Sequence, residues 1–89
     1  MKIVEFRIPK SITLPGLVIQ VKQVTPEELG GNADGSWDYD PATGKAEIRI
    51  NKRLKISRRR YILIHELQHV MTDYLHVALT SYGRWVEKT

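Results

Sequence analysis

One uninterrupted segment, residues 57–80, limits what this chain can fold into more than any other feature. It contains neither proline nor glycine, so it predicts one long helix. At about 100° per residue, apolar side chains fall on one broad side of that helix and polar ones on the other. The apolar side comprises Leu63, Ile64, Leu67, Val70, Met71, Tyr74, Leu75 and Ala78, and the polar side comprises Arg58, His65, Glu66, His69, Thr72, Asp73 and His76. Such a helix packs its apolar face on a domain and lines a cleft with its polar face.

The polar side carries the motif HELQH at residues 65–69. His65 and His69 lie four residues apart and leave the same helix face, so both rings can bind one Zn²⁺ at roughly 2.0–2.1 Å. Glu66 follows about 100° round the helix, where it can accept a proton from a water molecule activated by the metal. The pattern therefore predicts a zinc site with Glu66 as general base. The alternative is a surface helix whose polar face carries these residues by chance.

A zinc site of this kind needs a third protein ligand. The chain has no cysteine, so the ligand must be a histidine or a carboxylate. We expect Glu87, because Gly83 can end the helix and turn the chain back toward the metal. His76 shares the face of the two histidines but lies about 10 Å farther along a straight helix. The remaining candidates are Asp73, which is better suited to orienting a ligand, a carboxylate from a loop, and water alone.

Length and composition describe one domain, residues 1–89, without a membrane segment. With 89 residues, 42% of them hydrophobic and 27% charged, the chain has an ordinary globular composition. Its first residues show no apolar signal-peptide region, and no apolar run approaches the roughly 18 residues of a membrane span. We therefore expect a cytoplasmic protein that makes no membrane contact.

The segments before the helix have strand and turn signals. The expected strands are 2–8, 17–24, 36–40 and 45–51, and the last two form a hairpin around residues 41–44. Residues 11–14 are ambiguous, 15–16 form a turn, and 25–28 can form a single helical turn. Strands followed by one long helix predict an α+β fold, in which a small, mostly antiparallel sheet packs against the helix that carries the motif.

A basic run at residues 52–60 accounts for much of the net charge of +4. It contains Lys52, Arg53, Lys55, Arg58, Arg59 and Arg60. The run is either a contact for nucleic acid or another polyanion, or a solvated helix start. Because cations in the first helical turn oppose the helix dipole, the three arginines there indicate another use. Trp37, Tyr39 and Trp85 could stack on bases, although aromatic residues in a small domain more often belong to the core.

HELQH followed by Thr72-Asp73-Tyr74 resembles the active-site helix of thermolysin-type gluzincins, and the short chain resembles the minimal members called minigluzincins. The resemblance covers about residues 46–88. It implies a zincin-like fold and zinc-dependent hydrolysis of an extended peptide or protein substrate. It further implies that His65 and His69 are zinc ligands, that Glu66 is the general base, and that Glu87 matches the distal glutamate ligand. The strand at 45–51 resembles the zincin edge strand, which pairs with substrate.

The chain departs from that family at its C-terminal end, where almost no subdomain follows the helix. Tyr82 is the only candidate for the family's transition-state-stabilising histidine or tyrosine. Two alternatives to an active peptidase therefore stay open. One is a zincin-like protein that binds zinc but is inactive or latent. The second is a small basic module that binds nucleic acid through residues 52–60.

Overall fold

The structure, a computed structural model, describes residues 6–31 and 33–87, with side chains up to residue 80. Its elements are β1 (Ser11–Leu14), β2 (Leu17–Val24), a 3-10 turn (Pro26–Leu29), β3 (Gly35–Asp40), β4 (Lys45–Asn51) and α1 (Ile56–Glu87). One four-stranded sheet packs against one long helix. The expected α+β fold class is therefore confirmed, as are the hairpin and the single helical turn.

The sheet is mixed, with the spatial order β1-β2-β4-β3. The β1–β2 and β3–β4 pairs are antiparallel, and β2 pairs with β4 in parallel. Two of the three pairings are thus antiparallel, as expected. The last strand of the chain, β4, lies inside the sheet, whereas β3 lies at its edge.

The N-terminal strands differ in part from the expectation. The ambiguous residues 11–14 form β1, which a turn joins to β2, and Gly16 adopts a φ of 75° there. Residues 6–8 of the expected strand 2–8 are not in a strand, and residues 1–5 lie outside the described part. Phe6 and Ile8 instead pack against the core, and the backbone oxygen of Phe6 accepts a 2.7 Å hydrogen bond from Arg60. Residues 6–8 are therefore held by side-chain contacts instead of a strand ladder.

The core lies between one face of the sheet and the first half of the helix. Alternate side chains of the two inner strands point to this face, because strand side chains alternate in direction. The buried cluster contains Leu17, Ile19, Val21, Ala46, Ile48, Ile50, Ile62, Leu63 and Val70. Helix α1 contacts mainly β3 and β4, so the edge strand β3 lies directly beside the motif.

Helix α1 extends beyond both of its expected ends, from Ile56 to Glu87. Its 32 residues correspond to about 48 Å, and the helix continues through Gly83, where we expected it to end. The predicted apolar face is only partly covered. Leu63 and Val70 are buried, but Ile64 and Leu75 are 47% and 49% exposed, because the sheet covers a narrower stripe of the helix.

Candidate metal centre

The two motif histidines present their ring nitrogens to each other on an exposed helix face. The Nε2 atoms of His65 and His69 are 3.4 Å apart, and the two rings are nearly perpendicular, at 85°. This separation exceeds the roughly 2.7–3.2 Å of an ordinary hydrogen bond from nitrogen. A direct bond between the rings therefore does not explain why the two nitrogens converge.

The same separation fits a shared metal ion. Two Zn–N bonds of about 2.05 Å that meet near the tetrahedral angle hold their nitrogens about 3.4 Å apart. The observed distance between the two Nε2 atoms is 3.4 Å. Imidazole nitrogen is a preferred zinc donor, so His65 and His69 fit two of the coordination positions of a zinc ion in both chemistry and spacing.

Each of these imidazoles lies against an aromatic ring. Trp37 of β3 stacks on His69 with ring centroids 5.6 Å apart and planes 5° apart. Tyr61, one helical turn before His65, stacks on that ring at 6.2 Å and 18°. The sequence suggested core packing or base stacking for Trp37. The structure shows core packing and, in addition, the contact with His69, which no local pattern indicates.

Among the described residues, Glu66 is the charged residue that is buried, with 7% of its surface exposed. It faces β3 at Gly35, where a Cβ atom would lie 2.5 Å from Cγ2 of Ile62 and 3.4 Å from Cγ of Glu66. The absence of a side chain at Gly35 thus lets strand and helix approach closely. Sequence reasoning missed Gly35, whose importance depends on a contact between distant segments.

A cleft of about 330 Å³ opens between the start of β3 and the helix. Its lining comprises Asp34, Gly35, Arg58, Tyr61, Ile62, His65 and Glu66. The Arg58 guanidinium donates a 3.0 Å hydrogen bond to Asp34 and lies 4.9 Å from the centre of the Tyr61 ring. The carboxylate expected to act as base and one motif histidine therefore share a solvent-accessible cleft with a fixed cation.

The third metal ligand is not found in the described part of the chain. No cluster of three or more His, Cys, Asp or Glu residues suited to a metal occurs among those residues. His76 and Asp73 are exposed and lie farther along the helix. The expected turn at Gly83 is wrong, because the backbone stays helical to Glu87, about 27 Å along the axis from His69. The side chains of Glu87 and Tyr82 lie outside the described ones, so both assignments remain predictions.

The edge strand beside the motif is β3, and our assignment of residues 45–51 to that position is wrong. Those residues form β4, which pairs with β2 on one side and β3 on the other. Asn51 donates a backbone hydrogen bond to the Asp34 oxygen. Because hydrogen-bonding direction alternates along an antiparallel strand, the backbone groups of residues 35, 37 and 39 point to the free edge.

The three helical arginines of the basic run do not share one face. Arg58, Arg59 and Arg60 are consecutive helical residues, so they point about 100° apart. Arg58 binds Asp34, Arg59 donates to the Gln23 side chain and the Leu54 oxygen, and Arg60 donates to the Phe6 oxygen. Each arginine thus ties the first helical turns to a different segment, and this provides a structural use for cations at an unfavourable helix end.

The sheet face away from the helix carries a charged network and a larger depression of about 690 Å³. The ammonium nitrogen of Lys22 lies 2.8 Å from Oε1 of Glu47. Glu47 also forms an ion pair with Arg49, which forms a second ion pair with Asp38. The pKa of the Glu47 carboxyl is lowered from its ordinary value, chiefly by the hydrogen bond from Lys22 and also by Arg49. Burial of the carboxyl opposes this shift. No histidine lines this depression, so we place the candidate site in the smaller cleft, where the motif lies.

Comparison with known proteins identifies no relative: no protein-family model, curated protein or solved structure matches the chain. Among the described residues, no helix is both long and apolar enough to cross a membrane.

Proposed function

We propose that this protein is a zinc-dependent peptidase of minimal gluzincin type, in which His65 and His69 hold the metal and Glu66 is the general base. The observation that carries the proposal is the 3.4 Å separation of the two Nε2 atoms. It matches the spacing of two nitrogens on one zinc ion. The position of Glu66, next to His65 in the same cleft, supports the catalytic part.

The chain's own residues would act as follows. His65 and His69 would bind the ion as neutral imidazoles, through the two Nε2 atoms. Bound zinc would supply Lewis-acid chemistry, which acidifies water and polarises a peptide carbonyl. Glu66 would accept the proton from the attacking water and deliver it to the leaving amine nitrogen. Glu66 packs against Gly35 in the cleft that it shares with His65, and this contact would restrict the positions open to the carboxylate.

The free edge of β3 would bind the substrate as an extended peptide. Its outward backbone groups at residues 35, 37 and 39 run past the cleft and the motif histidines. An added strand would gain main-chain hydrogen bonds with little dependence on sequence. The substrate class is therefore an extended segment of a peptide or protein.

A second candidate function is zinc binding without hydrolysis, in an inactive or latent protein. The observation that favours it is the lack of a third ligand among the described residues. Two imidazoles alone would hold zinc more weakly than a complete site and would leave the catalytic geometry less constrained.

Polyanion binding through residues 52–60 is a third candidate, and the contacts of Arg58, Arg59 and Arg60 argue against it. These arginines point in different directions and already have partners within the chain. If the run binds nucleic acid, neutralising all three should weaken a salt-sensitive interaction.

The test combines metal content with hydrolysis of an unstructured protein substrate such as casein. Wild-type protein should bind about one zinc per chain, and His65→Ala and His69→Ala should lose it. Glu66→Gln should keep the zinc but lose at least about 100-fold in hydrolysis rate. Gln68→Ala is the matched control, because this exposed residue lies between the two histidines. Glu87→Ala and His76→Ala would identify the third ligand.

Each outcome separates the candidates. Zinc bound without any hydrolysis would favour the inactive protein. A wild type that binds no zinc, even when zinc is added, would refute both metal functions. Equal hydrolysis by Glu66→Gln and wild type would refute the catalytic role of Glu66.

A further inference from the structure

Trp37 connects the edge strand to one of the two motif histidines. Its ring lies parallel to that of His69, with centroids 5.6 Å apart and planes 5° apart, which is within the range of offset aromatic stacking. Trp37 is also half-buried against the core, and it pairs with Ile48 across the sheet. The sheet, and not the helix, therefore sets the position of the indole.

His69 needs such a contact if it is to keep one orientation. The residue is exposed, and the Nε2 of His65 is the polar atom of the described residues that lies near its ring, 3.4 Å from its Nε2. An exposed side chain samples several staggered rotamers, and ordering it costs free energy. A flat aromatic surface against one face of the imidazole favours the rotamer that directs Nε2 toward His65.

We propose that Trp37 is a positioning residue for His69 and that it raises the affinity of the His65–His69 pair for a metal ion. The inference rests on the proposed metal function but concerns a residue outside the HELQH motif. It also makes metal affinity depend on the position of β3, the strand that the substrate would join.

The aromatic contact of the other histidine, between Tyr61 and His65, is held in place by fewer elements. Tyr61 stacks on His65 at 6.2 Å and 18°, from the same helix, and is 56% exposed. Trp37, by contrast, comes from a different element and is held by the core. Removal of Trp37 should therefore weaken metal binding more than removal of Tyr61.

The experiment measures the Zn²⁺ dissociation constant by competition with a chromophoric chelator. For Trp37→Leu we expect affinity to fall about 2- to 10-fold, the range that one aromatic pair provides. Trp37→Phe should restore most of the loss, because it keeps a flat ring. Tyr39→Leu is the matched control, since Tyr39 lies two residues along the same strand and contacts Tyr74 instead of a histidine. It should change affinity less than about twofold, even where it lowers stability as much as Trp37→Leu.

Tryptophan fluorescence gives a second measurement. The chain has two tryptophans, so Trp85→Phe leaves Trp37 as the only one. Added Co²⁺ should quench its emission, and His69→Ala in the same background should abolish that quenching.

Three results would overturn the proposal. Unchanged Zn²⁺ affinity in Trp37→Leu would overturn the positioning role and leave the metal function intact. A wild type that binds no Zn²⁺ would overturn both. An equal loss of affinity in Tyr39→Leu would show that the effect is a general consequence of damage to β3.

Discussion

Gly35→Ala should destabilise the fold, because the added Cβ would enter the contact between β3 and α1. It would meet Cγ2 of Ile62 at 2.5 Å and the backbone oxygen of Arg49 at 3.0 Å. Neither atom can yield easily, since a β-branched side chain in a helix has one strongly preferred rotamer and the oxygen belongs to the sheet. Insertion of a methyl group into a packed contact of this kind costs about 1–3 kcal/mol.

Urea unfolding, followed by far-ultraviolet circular dichroism, measures that cost. Ile62→Leu provides the specific test, because it removes the Cγ2 methyl and keeps the side-chain volume. In the Ile62→Leu background, the cost of Gly35→Ala should fall by roughly 0.5–2 kcal/mol, as expected for two residues in contact. The control is Gly16→Ala, which is strained by its φ of 75° but meets no atom within 4 Å. The Ile62→Leu background should leave the loss of stability caused by Gly16→Ala unchanged.

A Gly35→Ala variant that unfolds at the same urea concentration as wild type would contradict the steric contact between β3 and α1. An Ile62→Leu background that does not reduce the destabilisation by Gly35→Ala would contradict it as well. In either case the close approach of strand and helix would not be what fixes Glu66 beside the cleft.

Two further changes test interactions outside the site by urea unfolding. Glu47→Gln should cost about 1 kcal/mol at pH 7. The pKa of this carboxyl is lowered in the folded state by Lys22 and Arg49. Its contribution is therefore present above the ordinary value of 4.5 and is lost as the pH falls through the folded value. If wild type and Glu47→Gln still differ by the same unfolding free energy at pH 2, the stabilisation does not come from the ion pairs of Glu47. Tyr74→Phe should cost about 0.5–1.5 kcal/mol, since the hydroxyl donates a 2.7 Å hydrogen bond to the Pro15 oxygen; no change would show that solvent replaces this bond.

Two parts of this fold, the long helix and the β3–β4 hairpin, depend mainly on interactions between residues close in sequence, and local patterns predict both. The helix with His65 and His69 on one face follows from a proline-free segment and a spacing of four residues. The β3–β4 hairpin follows from the turn signals around residues 41–44. Because both features depend on neighbours in the chain, the sequence was sufficient for them.

Features that depend on distant segments were not predictable in this way. The alternation in residues 45–51 indicates that one face is buried but not which strands lie on either side, so β4 was wrongly placed at the edge. Gly83 permits a helix end without requiring it. The stacking of Trp37 on His69 and the close approach at Gly35 require the register of strand and helix, which the sequence alone does not give.

The sheet order has a consequence for how the molecule assembles. The segments β3, β4 and α1, together with Asp34 just before β3, contain every residue of the candidate site, whereas β1 and β2 form a separate hairpin. The two parts join through the parallel β2–β4 pairing, which brings together residues far apart in sequence and is therefore slow to form. The ring contacts that bring Trp37 and the two histidines together lie within β3 and α1 and do not involve the β1–β2 hairpin. Contact order therefore predicts that the contact between Trp37 and His69 forms before the sheet is complete.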